Sequence, residues 1–338
     1  VNKFFYKVIF IDEVWSEFEK IYDFKREHVE KSDLENFIKK YFTEAGTELT
    51  DCDLDDWKEM PKKLMRIQDN HLRKWALELN RIWLRLCREM QPDKNPDRTS
   101  LIYVPHRFIV PGGRFREYYY WDAYWIIKGL IACEMYGFIP NGGRVYYLRR
   151  SQPPLFAGMI YEYIEATKDF EFLKTILPAV IEEFRFWQNN RTVIVKKGKY
   201  AHHLFHYNTT TNVERPESFA VDHMIGKQVP VADRRKLFQD IASAAESGWD
   251  FTSRWFRDKI SGAFDFPNGV PTSLMRNSKE QWDYPNGWSP INHMIIEGLR
   301  KSDDPVSQEW AFNLASKWVL GNYMVYQKTG HMWEKVGI

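Results

Sequence analysis

Hydrophobic residues recur along much of this chain at intervals of three and four, the spacing that aligns one face of an α-helix. From Leu72 onward Trp75, Ala76, Leu79, Ile82, Trp83 and Leu86 form one such stripe, which predicts a long amphipathic helix. Leu173, Ile176, Leu177, Val180, Ile181, Phe184 and Trp187 form a second stripe, and Ala311, Leu314, Ala315, Trp318 and Val319 a third. In the opening 60 residues Leu34, Phe37, Ile38 and Tyr41 repeat the pattern, and Ser32 followed by Glu35 reads as a capping box ahead of them. Only residues 192–207, TVIVKKGKYAHHLFHY, alternate with period two as a β-hairpin would. Long helices joined by polar, aromatic loops predict an all-α protein with a minor β-hairpin, and the lack of a fixed internal period argues against a solenoid.

No linker interrupts the pattern, so residues 1–338 read as a single domain in which 1–60 supply peripheral N-terminal helices. A hydrophobic content of 44% is enough for a large core. The 48 basic and 46 acidic side chains leave a net charge of +2, so nothing marks a partner of nucleic acid or of an anionic membrane surface. Cys52, Cys87 and Cys133 are too few and too scattered for a disulfide framework or a zinc pattern and read as structural thiols, Cys87 and Cys133 in apolar helical runs. His202, His203 and His206 match no zinc spacing, and strand alternation would send His202 and His203 to opposite faces, so no metal is expected. No apolar run is long enough to span a bilayer. Asn190-Arg191-Thr192 and Asn208-Thr209-Thr210 are glycosylation sequons, and a chain opening on Val1 is expected to have lost a leader. Together these point to a secreted protein or the extracellular face of a membrane, acting as a monomer.

The densest chemistry lies in residues 111–124, PGGRFREYYYWDAY. Pro111, Gly112 and Gly113 predict a tight turn that aims Arg114 from a rigid corner. The helix-like continuation gathers Trp121 and Asp122, a set suited to a neutral ligand rich in hydroxyls: charged groups grip the hydroxyls and indole faces cover sugar C–H faces. An aromatic core helix with solvated charges would have the same composition.

This stretch matches, at every fixed position, the first signature of the trehalase family of glycoside hydrolases. Residues 281–290, QWDYPNGWSP, match the second, and GFIPNGGRVYYLRRSQPP, RPES and ESGWDFTSRWF resemble further family blocks. The resemblance runs from about Trp57 to Lys335 and is closest to animal, especially insect, members. It implies an (α/α)₆ barrel with catalytic groups on loops at one end, and inverting hydrolysis of α,α-trehalose to two glucose molecules without a cofactor.

Glycoside hydrolysis needs two carboxyl groups. Asp250 stands between Trp249 and Phe251, where desolvation would keep a general acid protonated, and the resemblance places the family's acid there. It places the base at Glu334 of HMWEK. Arg114, Arg150 and Arg215 match the three substrate-binding arginines, with Glu217 holding hydroxyls and orienting Arg215. Trp121, Asp122, Asn141, Ser151, Gln152 and Gly248 match further sugar contacts, and Trp282 and Asp283 are expected to complete the wall.

The chain also departs from the family. Only 24 residues separate Phe256 from Gln281 where the family carries a long helical stretch, residues 135–137 join two blocks that normally flank a helix and a half, and only KVGI follows Glu334. The sequence is therefore expected to join segments of a longer trehalase, with pieces absent after Tyr136, after Phe256 and beyond Lys335. A barrel incomplete in this way would expose apolar faces to water. A truncated sugar-binding relative or another glucosidase on the same barrel are the alternative readings.

Overall fold

The computed structural model describes residues 12–43, 47–91, 99–133, 143–144, 147, 150–248, 266–276 and 278–338. The expected absent pieces after Tyr136 and Phe256 fall outside these residues. Helices α1 (Asp12–Ile21) and α2 (Lys31–Tyr41) flank a short antiparallel pair, β1 (Tyr22–Asp23) and β2 (His28–Val29), and meet through the rings of Phe18 and Phe37, 5.5 Å apart. The expected Ser32–Glu35 capping box does not form. Pairing of Val29 with Tyr22 ends the strand so close to the helix that Glu30 becomes the N-cap, and Ser32 falls inside the first turn.

After α3 (Lys62–Met65), helix α4 (Asn70–Ile82) carries the first predicted stripe; Asp69 caps it by accepting from the His71 and Leu72 amides at 2.8 and 2.9 Å. The helix tightens into a 3-10 turn at Trp83–Arg85 because the chain there turns into a strand. The three-stranded antiparallel sheet β3 (Leu49–Asp51), β4 (Cys87–Met90) and β5 (Phe108–Ile109) was not legible as strands, and it corrects the reading of the cysteines. Asp51 pairs with Arg88, so Cys52 and Cys87 face each other with Cα atoms 5.2 Å apart, and they form a disulfide; Cys133 stays a buried thiol.

The main core is built on α5 (Tyr120–Ala132), whose Ala123, Ile126, Ile127 and Leu130 pack with Cys87, Ile109 and Met159 of α6 (Phe156–Thr167). Helix α7 (Phe170–Asn190) carries the second stripe and buries Trp187, yet Leu177, Ile181 and Phe184 are 45, 41 and 55% exposed, so much of that apolar face meets water. The hairpin of β6 (Thr192–Lys197) and β7 (Tyr200–Phe205) forms as predicted, with His202 opposite Val195 and His203 opposite Ile194. Helices α8 (Phe219–Gly226) and α9 (Val231–Glu246) follow. Helices α10 (Ser289–Arg300) and α11 (Pro305–Thr329) pack on each other; of the third stripe Ala311 and Leu314 are buried and Val319 is exposed. Strand β8 (Asn286–Trp288) pairs antiparallel with β9 (Lys335–Gly337), which fastens the chain's last residues to the second signature. The described residues are thus mainly helical, as the periodicity predicts. No helix among them is long and apolar enough to cross a membrane.

The disulfide closes a loop of 35 residues, for which chain entropy gives about 4 kcal/mol of stabilisation. Denaturant unfolding of Cys52→Ser should show a loss of that order, matched by the parent protein in reductant.

Candidate active site

The glycine turn has the predicted form: Gly112 and Gly113 take φ of 101° and 59°, angles that side chains disfavour. Gly112 and Phe115 close it by exchanging amide–carbonyl hydrogen bonds of 3.1 and 3.0 Å. Arg114 then lies over the Phe115 ring and comes within 3.7 Å of the Glu334 carboxylate. The β8–β9 ladder places Lys335 opposite Trp288, and so brings Glu334 to the same place.

A cavity of about 1250 Å³ opens beside this pair. Of the residues singled out from sequence, Arg114, Trp121, Asp122, Arg150, Ser151, Gln152, Arg215, Glu217, Gly248, Trp282 and Glu334 all line it. Asn141 and Asp250 lie outside the described residues. Asp283 does not line the cavity: it is fully buried within the turn that precedes β8, while its neighbour Trp282 supplies the wall.

The arginines are held in distinct ways. Arg150 forms a close ion pair with Glu217 and stacks on Tyr147. Arg215 is instead gripped by Asp222 of α8, which accepts from Nε at 2.9 Å, from Nη2 at 2.8 Å and from the Arg215 amide at 3.0 Å. The expected Glu217–Arg215 partnership is therefore corrected to Glu217–Arg150 and Asp222–Arg215. Pro216 opens a short 3-10 turn that leads directly into α8, and this folds Asp222 back onto Arg215. Nothing in the linear sequence distinguishes Asp222 from a surface carboxylate.

Aromatic packing builds the opposite wall. Trp282 and Trp288 stack with centroids 3.9 Å apart, Trp121 stands 6.3 Å from Trp282, and Trp125 meets Trp121 edge-on. Gly248, at φ +79°, sits so near Trp121 that a Cβ there would come within 2.9 Å of the indole, which explains the glycine. Gln152 accepts from the Trp121 amide at 3.0 Å, satisfying a donor that the first turn of α5 leaves free. Tyr120 donates to Glu183 of α7 and accepts from the Phe156 amide at 3.0 Å, tying three helices together at the cavity wall. Burial pushes the Glu183 carboxyl and the Tyr120 hydroxyl up. Glu183 and Trp288 are lining residues that the sequence reading missed; Glu183 looked like one more solvated charge on an amphipathic helix.

Burial raises the Asp122 carboxyl to about 7, and the negative charge of Glu334 adds to the shift. Folded Asp122 thus holds its proton at pH values where the unfolded chain has released it. Stability contributed by this group is present at low pH and falls as pH rises from the ordinary carboxylate value to about 7, a span worth on the order of 4 kcal/mol. Asp122→Asn removes that slope. In melting curves its Tm relative to the parent should rise between about pH 4 and pH 7, and parallel profiles would reject the shift.

Among the described residues no group of three or more His, Cys, Asp or Glu side chains could hold a metal ion. The arrangement can grip hydroxyls from several arginines and carboxylates, cover a sugar face with indoles, and hold the Asp122 carboxyl protonated above the ordinary carboxylate range. The trehalase family profile matches residues 8–264 and 259–338. A trehalase of Apis mellifera is 31% identical over 96% of this chain and 73% of its own length, and one of Oryctolagus cuniculus is 31% identical over 97% and 79%. A trehalase of Bombyx mori is 39% identical over 95% and 78%. The alignment with the Apis mellifera protein extends over 458 positions against a chain of 338, so at least 120 of them face no residue here. The two family matches meet at residues 259–264, inside the short connection between Phe256 and Gln281. Two signatures in order, a cavity that unites them and matches over almost the whole length place the chain in the trehalase family.

Proposed function

We propose that the cavity hydrolyses α,α-trehalose to two glucose molecules with inversion at the attacked carbon. The observation that carries this reading is the convergence of Arg114, Arg150 and Arg215 with Asp122, Glu217 and Glu334 against the tryptophan wall. Arg114, Arg150, Gln152 and Glu217 grip the sugar hydroxyls, and Trp121 and Trp282 cover the C–H face. Arg215, held by Asp222, adds a fixed positive charge, and Ser151 and Gly248 shape the pocket floor. Asn141, outside the described residues, takes its sugar-contacting role from the family resemblance alone, and Asp283 acts from behind the wall.

Glu334 serves as general base, taking a proton from water that attacks the anomeric carbon from the face opposite the departing sugar. Asp250, two residues beyond Gly248, serves as general acid and protonates the glycosidic oxygen as it leaves. Such a pair stands roughly 6.5 to 9.5 Å apart to admit the water, and the chemistry needs neither metal nor cofactor. Arginine forks tighten on hydroxyls as charge develops, lowering the barrier by positioning and electrostatics.

We read residues 1–338 as one catalytic unit that works as a monomer, outside the cell or on its outer face. The Cys52–Cys87 disulfide supports an oxidising compartment, and the exposed Asn190 and Asn208 can accept N-glycans.

Proton NMR of the protein with trehalose tests the reaction. Equal initial release of α- and β-glucose is expected; α-glucose alone would reject inversion, and binding without release would leave a sugar-binding protein. Asp250→Asn and Glu334→Gln should each lower turnover at least about a hundredfold with helical content unchanged, and chelator should have no effect. Full activity in either variant removes that residue from the mechanism.

A further inference from the structure

Glu246 ends α9 with no surface exposed to solvent. Its Oε1 accepts from the Ser151 amide at 2.8 Å, from Ser151 Oγ at 3.2 Å, and from Arg191 Nη2 and Nε at 2.6 and 3.1 Å. Its Oε2 accepts from the Asn208 amide at 2.9 Å and from Arg191 Nε at 3.1 Å. Arg191 is itself 5% exposed, and its Nη1 donates to the Asn190 carbonyl at 3.0 Å. A carboxylate so far from water is tolerable only when its charge is matched and its lone pairs are used, and here both conditions hold.

These bonds join three segments that are distant in sequence: the 150–152 loop, the two ends of the β6–β7 hairpin, and the end of α9 just before Gly248. Ser151 is the central residue of its loop. On one side Arg150 reaches Glu217, and on the other Gln152 accepts from the Trp121 amide at 3.0 Å. A shift of Ser151 would carry both neighbours away from their partners, and with them the groups that face the cavity.

We propose that Glu246 is a positioning residue of the trehalose site, fixing Ser151 and thereby aiming Arg150 and Gln152 at the sugar, with Arg191 as the counter-charge that lets the carboxylate stay buried. This rests on the hydrolytic reading above. Glu246 touches no substrate; its effect passes through the loop. In Glu246→Gln an amide NH₂ replaces one acceptor oxygen and opposes donors from Ser151, Asn208 or Arg191. Displacement of a substrate-gripping loop by about 1 Å is enough for a hundredfold effect.

The test uses the full chain with trehalose. For Glu246→Gln, KM should rise and kcat/KM should fall about a hundredfold, and amide exchange at Ser151 and Asn208 should quicken while that in α10 and α11 stays unchanged. A merely structural role lowers the folded fraction, which reduces kcat in proportion and leaves KM alone. Glu246→Asp, which keeps the charge for Arg191 but withdraws it by one methylene, should give the same rise in KM and serves if the glutamine variant does not fold. Unchanged KM with kcat following the folded fraction, or unchanged exchange at Ser151, overturns the proposal, as does failure of both variants to fold. If the parent protein does not cleave trehalose, the hydrolytic reading fails separately. Trehalose binding, followed by tryptophan fluorescence, then replaces KM, and it should weaken in both variants.

Discussion

A guanidinium or carboxylate can stand in a partly dry cavity only when an opposite charge stands against it, and that constraint governs the centre of this protein. Arg150 is matched by Glu217, Arg215 by Asp222 and Arg191 by Glu246, with the last two pairs almost wholly buried. Arg144 is matched in the same way by Glu117 and Glu48. Replacing either member alone would strand a charge away from water, which costs far more than the intact pair contributes. Each pair also links segments or turns that must keep their relative positions, so charge matching and site geometry are the same requirement.

The aromatic wall supplies the complementary surface. Trp282 and Trp288 belong to the second signature and Trp121 to the first, so their contact is also the contact between the two stretches. Gly248 permits that approach from beneath. Behind the wall, α5 carries its apolar residues into the core that also holds the Cys52–Cys87 disulfide. Part of the cleft is thus mounted on one of the most thoroughly buried helices, which gives Trp121 and Asp122 a rigid base.

Glu334 shows how tertiary pairing changes the standing of a residue. A glutamate beside exposed residues such as Met332 and Trp333 is ordinarily an idle charge. The ladder between β8 and β9 and the ion pair with Arg114 hold it against the two signatures. Its charge then reaches Asp122 and helps keep that carboxyl protonated. The exposed face of α7 has a different origin: Leu177, Ile181 and Phe184 repeat at the spacing of a covered helix but meet water. This fits an (α/α)₆ barrel whose relatives carry at least 120 positions with no counterpart here.

Local periodicity fixed the all-α class, the hairpin at 192–205 and the approximate extent of α4, α7 and α11, because side-chain spacing acts within a few residues along the backbone. The glycine turn before Arg114 was equally legible, since backbone angles limit which residues can form it. Family-specific motifs then pointed to eleven residues that the cavity unites, from Arg114 to Glu334. Partner choice was not legible. Cys52 with Cys87, Asp222 with Arg215, Glu217 with Arg150 and Glu246 with Ser151 and Arg191 depend on short strand registers or on helix ends brought together only by packing. A carboxylate in the sequence carries no mark of the cation or amide it will face; the fold decides that by removing water and leaving one partner within reach.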